Sequence, residues 1–325
     1  MKEEGLGGER IWPMEQGWTW TDLQIEDWDS PSVKRLILKK PVVEEWIKSI
    51  PETNTNYLSV RFAEDQEPLI FGAMPYSVKK EIDSETECER FHFFVSRTEL
   101  VTINLDDHTR FVMNSRERVN LLAGCKWPID GMFVLGRTIL HYFHEGMDQF
   151  EINLRKVEET MRQRNEKNIM DRILNARFEL LYWSNLFIPY LELITAAREA
   201  YLDELDQSVY FQRFYYRADR METLFSHYEK EIDTLIMIDD AVSAFRGNDI
   251  MKTLTIITAI FTPAMVVGAI WGMNFDYLPW IHTGTWGFIA IMLMVLLSTG
   301  GLYAWMWMKG WTGDLLRVRR KNSNL

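Results

Sequence analysis

Two stretches of this chain, residues 253–271 and 285–308, contain no charged side chain, and no stretch before them matches their length. Ahead of about residue 127, apolar and polar positions alternate in short runs broken by turn residues. From about 128 glycine thins out and apolar residues recur three and four apart, the periodicity of long helices. The alternating part predicts strands at 57–62, 69–72, 91–95 and 100–105, the last two forming a hairpin through 96–99. It also predicts helices at 42–50 and 116–122, the second capped by Asn114 or Ser115. Trp12, Trp18, Trp20 and Trp28 supply bulk to pack this part. The helical part predicts one helix over 129–164 and a second over 167–205 with a disturbance at Pro189. A third starts near 207 and meets no strong breaker before Pro263. Gly247 is its weak point, at about 1 kcal/mol against Ala. Continued into the uncharged stretch, this helix runs for roughly 100 Å and needs neighbours, most simply copies of itself.

The uncharged stretches are long enough to span a membrane. The first has 19 residues and the second 24, roughly 28 and 36 Å as helix. Lys and Arg set the orientation. The connection between the stretches has none, whereas Arg246 and Lys252 precede the first, and Lys309, Arg317, Arg319, Arg320 and Lys321 follow the second. Both termini are therefore expected in the cytoplasm, in the inner (plasma) membrane of a cell, and the polar start MKEEGLGGER carries no signal peptide. The expected fold class is an α+β membrane protein. It has a cytoplasmic α/β domain (1–127), a long-helix cytoplasmic stalk (128–252) and a transmembrane pore domain (253–325). The last holds a first span at about 253–273, an outer loop at 274–284, a second span at 285–308 and a basic tail.

The formal net charge is −11. Since bases outnumber acids after residue 253, the preceding part is more acidic still. That sign excludes nucleic acid as a partner and suits attraction of cations. Cys88 and Cys125 show no metal spacing and read as free thiols. No phosphate loop, nucleophile elbow or paired-cysteine motif suggests an enzyme, and no tightly bound cofactor is expected. His141, His144 and Glu145 spell HxxHE on a helix, with both imidazoles on one side. The order is reversed from the metalloprotease motif and a third ligand is lacking, so packing between helices is the default.

Read as heptads, the first span carries a stripe. Asn248, Thr255, Thr262 and Ala269 are seven apart, and Met251, Thr258, Met265 and Gly272 follow three residues on. The other positions are mostly Ile, Val, Leu and Phe. A seven-residue repeat favours a left-handed bundle with this stripe inward. A small-residue packing seam would explain Thr255, Thr262 and Ala269, but not two methionines with Asn248 at one end and Asn274 at the other. The stripe is read as lining a pore. It holds no carboxylate or imidazole for a bare transition metal. Mg²⁺ keeps its waters, and amide and carbonyl oxygens at Gly272, Met273 and Asn274 could bond to them. Gly272 lets the helix end turn and leaves room there. Pro263 removes one backbone bond, so a slight kink is expected beside the stripe.

These residues resemble the CorA family of divalent-cation channels. NDIMKTLTIITAIFTP at 248–263 is similar to the family's first membrane helix, and GAIWGMNF at 268–275 resembles its signature at the pore mouth. FFVSRTELVTIN at 93–104 is similar, more loosely, to its paired strands. The resemblance implies a funnel-shaped homopentamer in the lipid bilayer, Mg²⁺ as transported ion with Co²⁺ or Ni²⁺ as alternatives, and ion selection at Gly272 and Asn274. It further implies an inner polar ring at Asn248 and a gate at Met251, Thr262 and their heptad partners.

Two departures stand out. Family members commonly carry an MPEL-like loop after GMNF, whereas this chain reads DYLPWIHTG, with Asp276 as the loop's one acid and His282 its other titratable group. A less negative mouth raises two alternatives: a member moving Zn²⁺ or exporting ions, or a non-conducting membrane scaffold. The family's regulatory acids also find no residue-by-residue match. Asp203, Glu204, Asp206, Asp239 and Asp240 read as solvated helix faces, and the basic tail could form a collar around the inner mouth.

Overall fold

The computed structural model describes residues 3–4, 9–28, 33–34, 37–38, 43–52, 57–79, 88–163, 168–273, 279–280 and 284–311. It divides into two compact units, Met1–Ile236 and Met237–Leu325.

In the first unit, β1 (Glu3–Glu4), β2 (Glu9–Pro13), β3 (Thr19–Leu23), β4 (Leu58–Phe62), β5 (Pro68–Tyr76), β6 (Glu89–Val95) and β7 (Glu99–Ile103) form one sheet in the order β1-β2-β3-β7-β6-β5-β4. Neighbours are antiparallel except β3 and β7, which run parallel with Thr19 opposite Glu99. Both faces are covered. Trp20, Met74, Tyr76, Phe91 and Phe93 belong to the main core. Leu23, Phe71, Phe94 and Ile103 pack in a second core with Trp46 and Ile47 of α1 (Glu44–Ser49). Two covered faces explain why β6 is buried without a break from Phe91 to Val95.

The helices follow. These are α2 (Asp107–Met113), α3 (Arg116–Ala123), α4 (Pro128–Gln163), α5 (Ile169–Tyr201), α6 (Asp203–Asp206) and α7 (Val209–Trp271). Of the two cap candidates for α3, Ser115 takes the role, its hydroxyl accepting from Arg118 N–H at 3.4 Å. The Asp130 carboxylate serves two helix starts. It accepts the N–H groups of Lys126 and Trp127 at 3.2 and 3.3 Å, and Ser208 donates its hydroxyl to it. Ser208 Oγ in turn accepts Phe211 N–H at 3.2 Å, capping α7. Close approach seals the bundle: a Cβ on Gly146 would lie 2.2 Å from Trp183 Cζ2, so the Trp183 ring of α5 lies directly on the backbone of α4 there.

Several expectations shift. β5 runs past 72 to Tyr76, and its Pro75 carbonyl accepts Tyr190 O–H at 3.1 Å. β7 stops at Ile103 because Asn104 turns to φ 60° and bonds Ile25 N–H and C=O at 2.8 and 3.1 Å through its side chain. The helix expected to reach 205 ends at Tyr201, where Leu202 takes φ 46° and the chain re-enters α6. Pro189 lies inside α5, and Gly247 and Pro263 inside α7, without interrupting either helix. β2, β3 and α2 were not foreseen from the pattern. The tryptophans do pack the sheet: Trp18 and Trp20 are buried, and Trp12 stacks on Trp20 with ring centroids 4.4 Å apart.

In the second unit, the rest of α7 and α8 (Thr285–Met308) are both long and apolar enough to cross a membrane. Their large apolar side chains, such as Phe261, Phe288, Leu296 and Leu297, are exposed, as lipid-facing residues would be.

Candidate ion pathway

Asn248, Met251, Thr255, Thr258, Thr262, Met265, Ala269 and Gly272 are all exposed within the chain. The fully or partly shielded positions of the same segment are Lys252, Thr253, Ile256, Ala259, Ile260, Pro263, Val267 and Trp271, which fall on the far side of a 3.6-residue helix. The stripe is therefore a continuous open face.

The threonines of that face share one geometry. Thr255 Oγ1 donates to Met251 C=O at 2.8 Å, Thr258 Oγ1 to Leu254 C=O at 2.9 Å, and Thr262 Oγ1 to Thr258 C=O at 2.7 Å. Each hydroxyl hydrogen is committed to the backbone, so what it offers outward is oxygen lone pairs. The stripe thus presents acceptors, the polarity that waters around a cation can bond to.

The end of α7 is fixed by two contacts. Gly272 N–H donates to Gly268 C=O at 2.8 Å, and a Cβ on Gly272 would lie 2.7 Å from that oxygen. A side chain there would displace the last turn. Trp271 Nε1–H donates to Pro279 C=O at 3.1 Å, tying the helix end to the loop. Met273 is exposed. Asn274, Asp276 and His282 lie outside the described residues, as do Arg317, Arg319, Arg320 and Lys321 of the tail. At the other end of α8, Lys309 forms the C-cap and Trp305 meets Trp311 edge to face at 5.6 Å.

The remaining sequence candidates lie apart from this face. No cluster of three His, Cys, Asp or Glu able to hold a metal occurs among the described residues. His141 lies 3.7 Å from Glu145. Burial, then the charges of Arg217 and Arg220, lower the pKa of His144, against an opposing Asp148. Glu204 is engaged by Arg97 at 2.7 Å. Cys125 is buried and burial holds its thiol protonated.

Comparison with known proteins gives the chain its relatives. The family described as CorA-like Mg²⁺ transporter protein matches residues 15–309. The magnesium transport protein CorA of Bacillus subtilis is 31% identical over 281 residues, 86% of this chain and 87% of that protein. The cobalt/magnesium transport protein CorA of Methanocaldococcus jannaschii is 26% identical over 151 residues, 45% of this chain and 48% of that protein. The complete structure of the M. jannaschii CorA magnesium transporter superposes with a TM-score of 0.66 at 19% identity, covering 91% of this chain and 92% of that one. The ZntB cytoplasmic domain from Vibrio parahaemolyticus shares the fold at a TM-score of 0.55 and 11% identity, covering 75% of this chain and 100% of that one. With a family match across nearly its whole length and a two-span helical end on a sheet-and-helix unit, the chain belongs to the CorA-like Mg²⁺ transporter family.

Proposed function

We propose that copies of this chain, five in number, surround a pore lined by the α7 stripe and pass hydrated divalent cations across the inner membrane, both termini lying in the cytoplasm. The observation that carries this reading is the turned threonine hydroxyls: Thr255, Thr258 and Thr262 keep their hydrogens on the backbone and present oxygen. Around a pore those oxygens accept from waters that Mg²⁺ retains. Mg²⁺ is the first cargo and Co²⁺ the second, as in the relatives named for magnesium and cobalt transport; Ni²⁺ is a further candidate. Gly272, Met273 and Asn274 select the ion at the outer mouth, Asp276 gathers it there, and Asn248 and Met251 narrow the inner end. The working division remains a cytoplasmic domain (1–127), a stalk (128–252) and a pore domain (253–325).

Purified protein in liposomes tests the reading. Mg²⁺, Co²⁺ and Zn²⁺ fluxes are measured for wild type beside Asn274→Ala and Asp276→Asn. Flux lost in Asn274→Ala with the oligomer intact supports a channel. No flux from intact wild type refutes the channel and leaves the scaffold. Unchanged flux in both directions for Asp276→Asn removes the mouth charge from the account.

A further inference from the structure

α4 and α7 meet where Gly136 faces Phe214, closely enough that a Cβ on Gly136 would lie 2.7 Å from Phe214 Cε2. Arg137 directly follows Gly136. Arg213, Arg217 and Arg220 lie four and three apart on α7, each one residue before a buried position (Phe214, Ala218, Met221). Helical spacing puts these arginines along one edge of the seam. Arg118, from α3, reaches the same place. Burial, then Arg118 and Arg213, lower the Arg137 pKa; burial, then Arg137, Arg220 and Arg118, bring Arg217 down to about 10. Arginine keeps its proton at neutral pH, so the patch holds its full positive charge.

Glu117 opposes the positive charge at Arg137. The Nε atoms of Arg137 and Arg217 are enclosed and have no acceptor among the described residues. Other arginines of the same unit are matched: Arg110 by Asp22, Arg177 by Asp233 and Arg155 by Glu151. A chain of net charge −11 has acids to spare, yet concentrates five guanidinium groups here. Arg137 and Arg217 are recessed, while Arg213 and Arg220 stand exposed around them. A recessed floor with an exposed rim of forked donors suits a compact anion with several oxygens on each charged centre.

We propose that Arg118, Arg137, Arg213, Arg217 and Arg220 form a binding site for a multiply charged phosphoryl anion of the pyrophosphate type, at the edge where α3, α4 and α7 meet. The occupant is a small anion because the two recessed donors lie below a rim, out of easy reach of short carboxylates on a flat protein surface. Carboxylates of a second copy are the competing occupant.

The test is calorimetric titration of the full-length, assembled protein with inorganic pyrophosphate in metal-free, low-salt buffer, with chloride as comparator. Saturable binding is expected for wild type. The exposed Arg213→Gln and Arg220→Gln variants, which put folding least at risk, should weaken it roughly tenfold, as should Arg217→Gln. Arg155→Gln, elsewhere on α4, should leave it unchanged. The proposal is overturned if pyrophosphate fails to bind saturably, or if Arg155→Gln weakens it as much as the cluster variants. It is equally overturned if wild type ignores pyrophosphate while Arg213→Gln or Arg220→Gln breaks up the oligomer, which would assign the patch to a neighbouring copy.

Discussion

Arg110 donates its Nε–H to Asp22 Oδ2 at 2.8 Å, across 88 residues of sequence, and both side chains are all but sealed from solvent. Thr102 Oγ1 donates to the other oxygen of Asp22 at 2.8 Å and accepts Trp20 Nε1–H at 3.0 Å. Arg110 also reaches the Leu105 carbonyl at 2.9 Å. Burial raises the Asp22 pKa and Arg110 opposes it. The pair bolts α2 to β3 and β7. Removing one partner strands a buried charge, so Arg110→Met should destabilise the protein by about 3–5 kcal/mol. The double variant Asp22→Leu with Arg110→Met should recover much of that loss. Thermal unfolding followed by tryptophan fluorescence checks both; equal midpoints for single and double variants would contradict the coupling.

His92 gives the protein an acid-sensitive element. It is buried beside Trp28, ring centroids 6.3 Å apart, and burial, then Arg90, lower its pKa to about 4. An unfolded histidine titrates near 6.5. Between these values the unfolded chain binds the proton and the folded chain does not. The stabilisation is therefore full above about pH 6.5 and fades as pH falls toward 4. From pH 7 to pH 5 it should shrink by about 2 kcal/mol. His92→Phe should flatten this part of the pH profile; an unchanged slope would mean another group sets it.

Two glycines should answer alanine in opposite directions. At Gly146 the added carbon would meet the Trp183 ring at 2.2 Å, and at Gly247 it would meet nothing within 4 Å. Gly146→Ala should destabilise by about 1–3 kcal/mol through overpacking. Gly247→Ala should stabilise by up to about 1 kcal/mol, since α7 is helical there. Melting midpoints of the two variants should fall on either side of wild type.

The threonine stripe makes a prediction about shape against oxygen. Thr258→Val keeps the volume and removes the acceptor, whereas Thr258→Ser keeps the acceptor. Mg²⁺ flux in liposomes should fall several-fold in the first and hold in the second, with oligomer size unchanged in both. Equal flux in the two would reduce the stripe to a packing seam.

The two helices long and apolar enough to cross a membrane were legible in the chain because a bilayer asks the same of every residue of a span, and that shows as uncharged length. The long helices were legible for the same reason: a 3.6-residue period is local. β2 and β3 were not, because TWTDL is covered on both faces and so loses the alternation that marks a strand, and its parallel partner β7 lies about 80 residues on. α2 was missed because its core contribution comes from Thr109, Arg110 and Met113, a set with no apolar stripe. The ends of β7 and α5 depended on single residues, Asn104 and Leu202, taking φ above zero. The arginine edge and the Asp22–Arg110 pair join residues whose neighbours in sequence say nothing of each other. Sequence alone determined the long helices and the two uncharged stretches, since periodicity and charge act over a few residues. Tertiary structure decided which distant charges would be buried together, since only packing brings them within reach and removes the water between them.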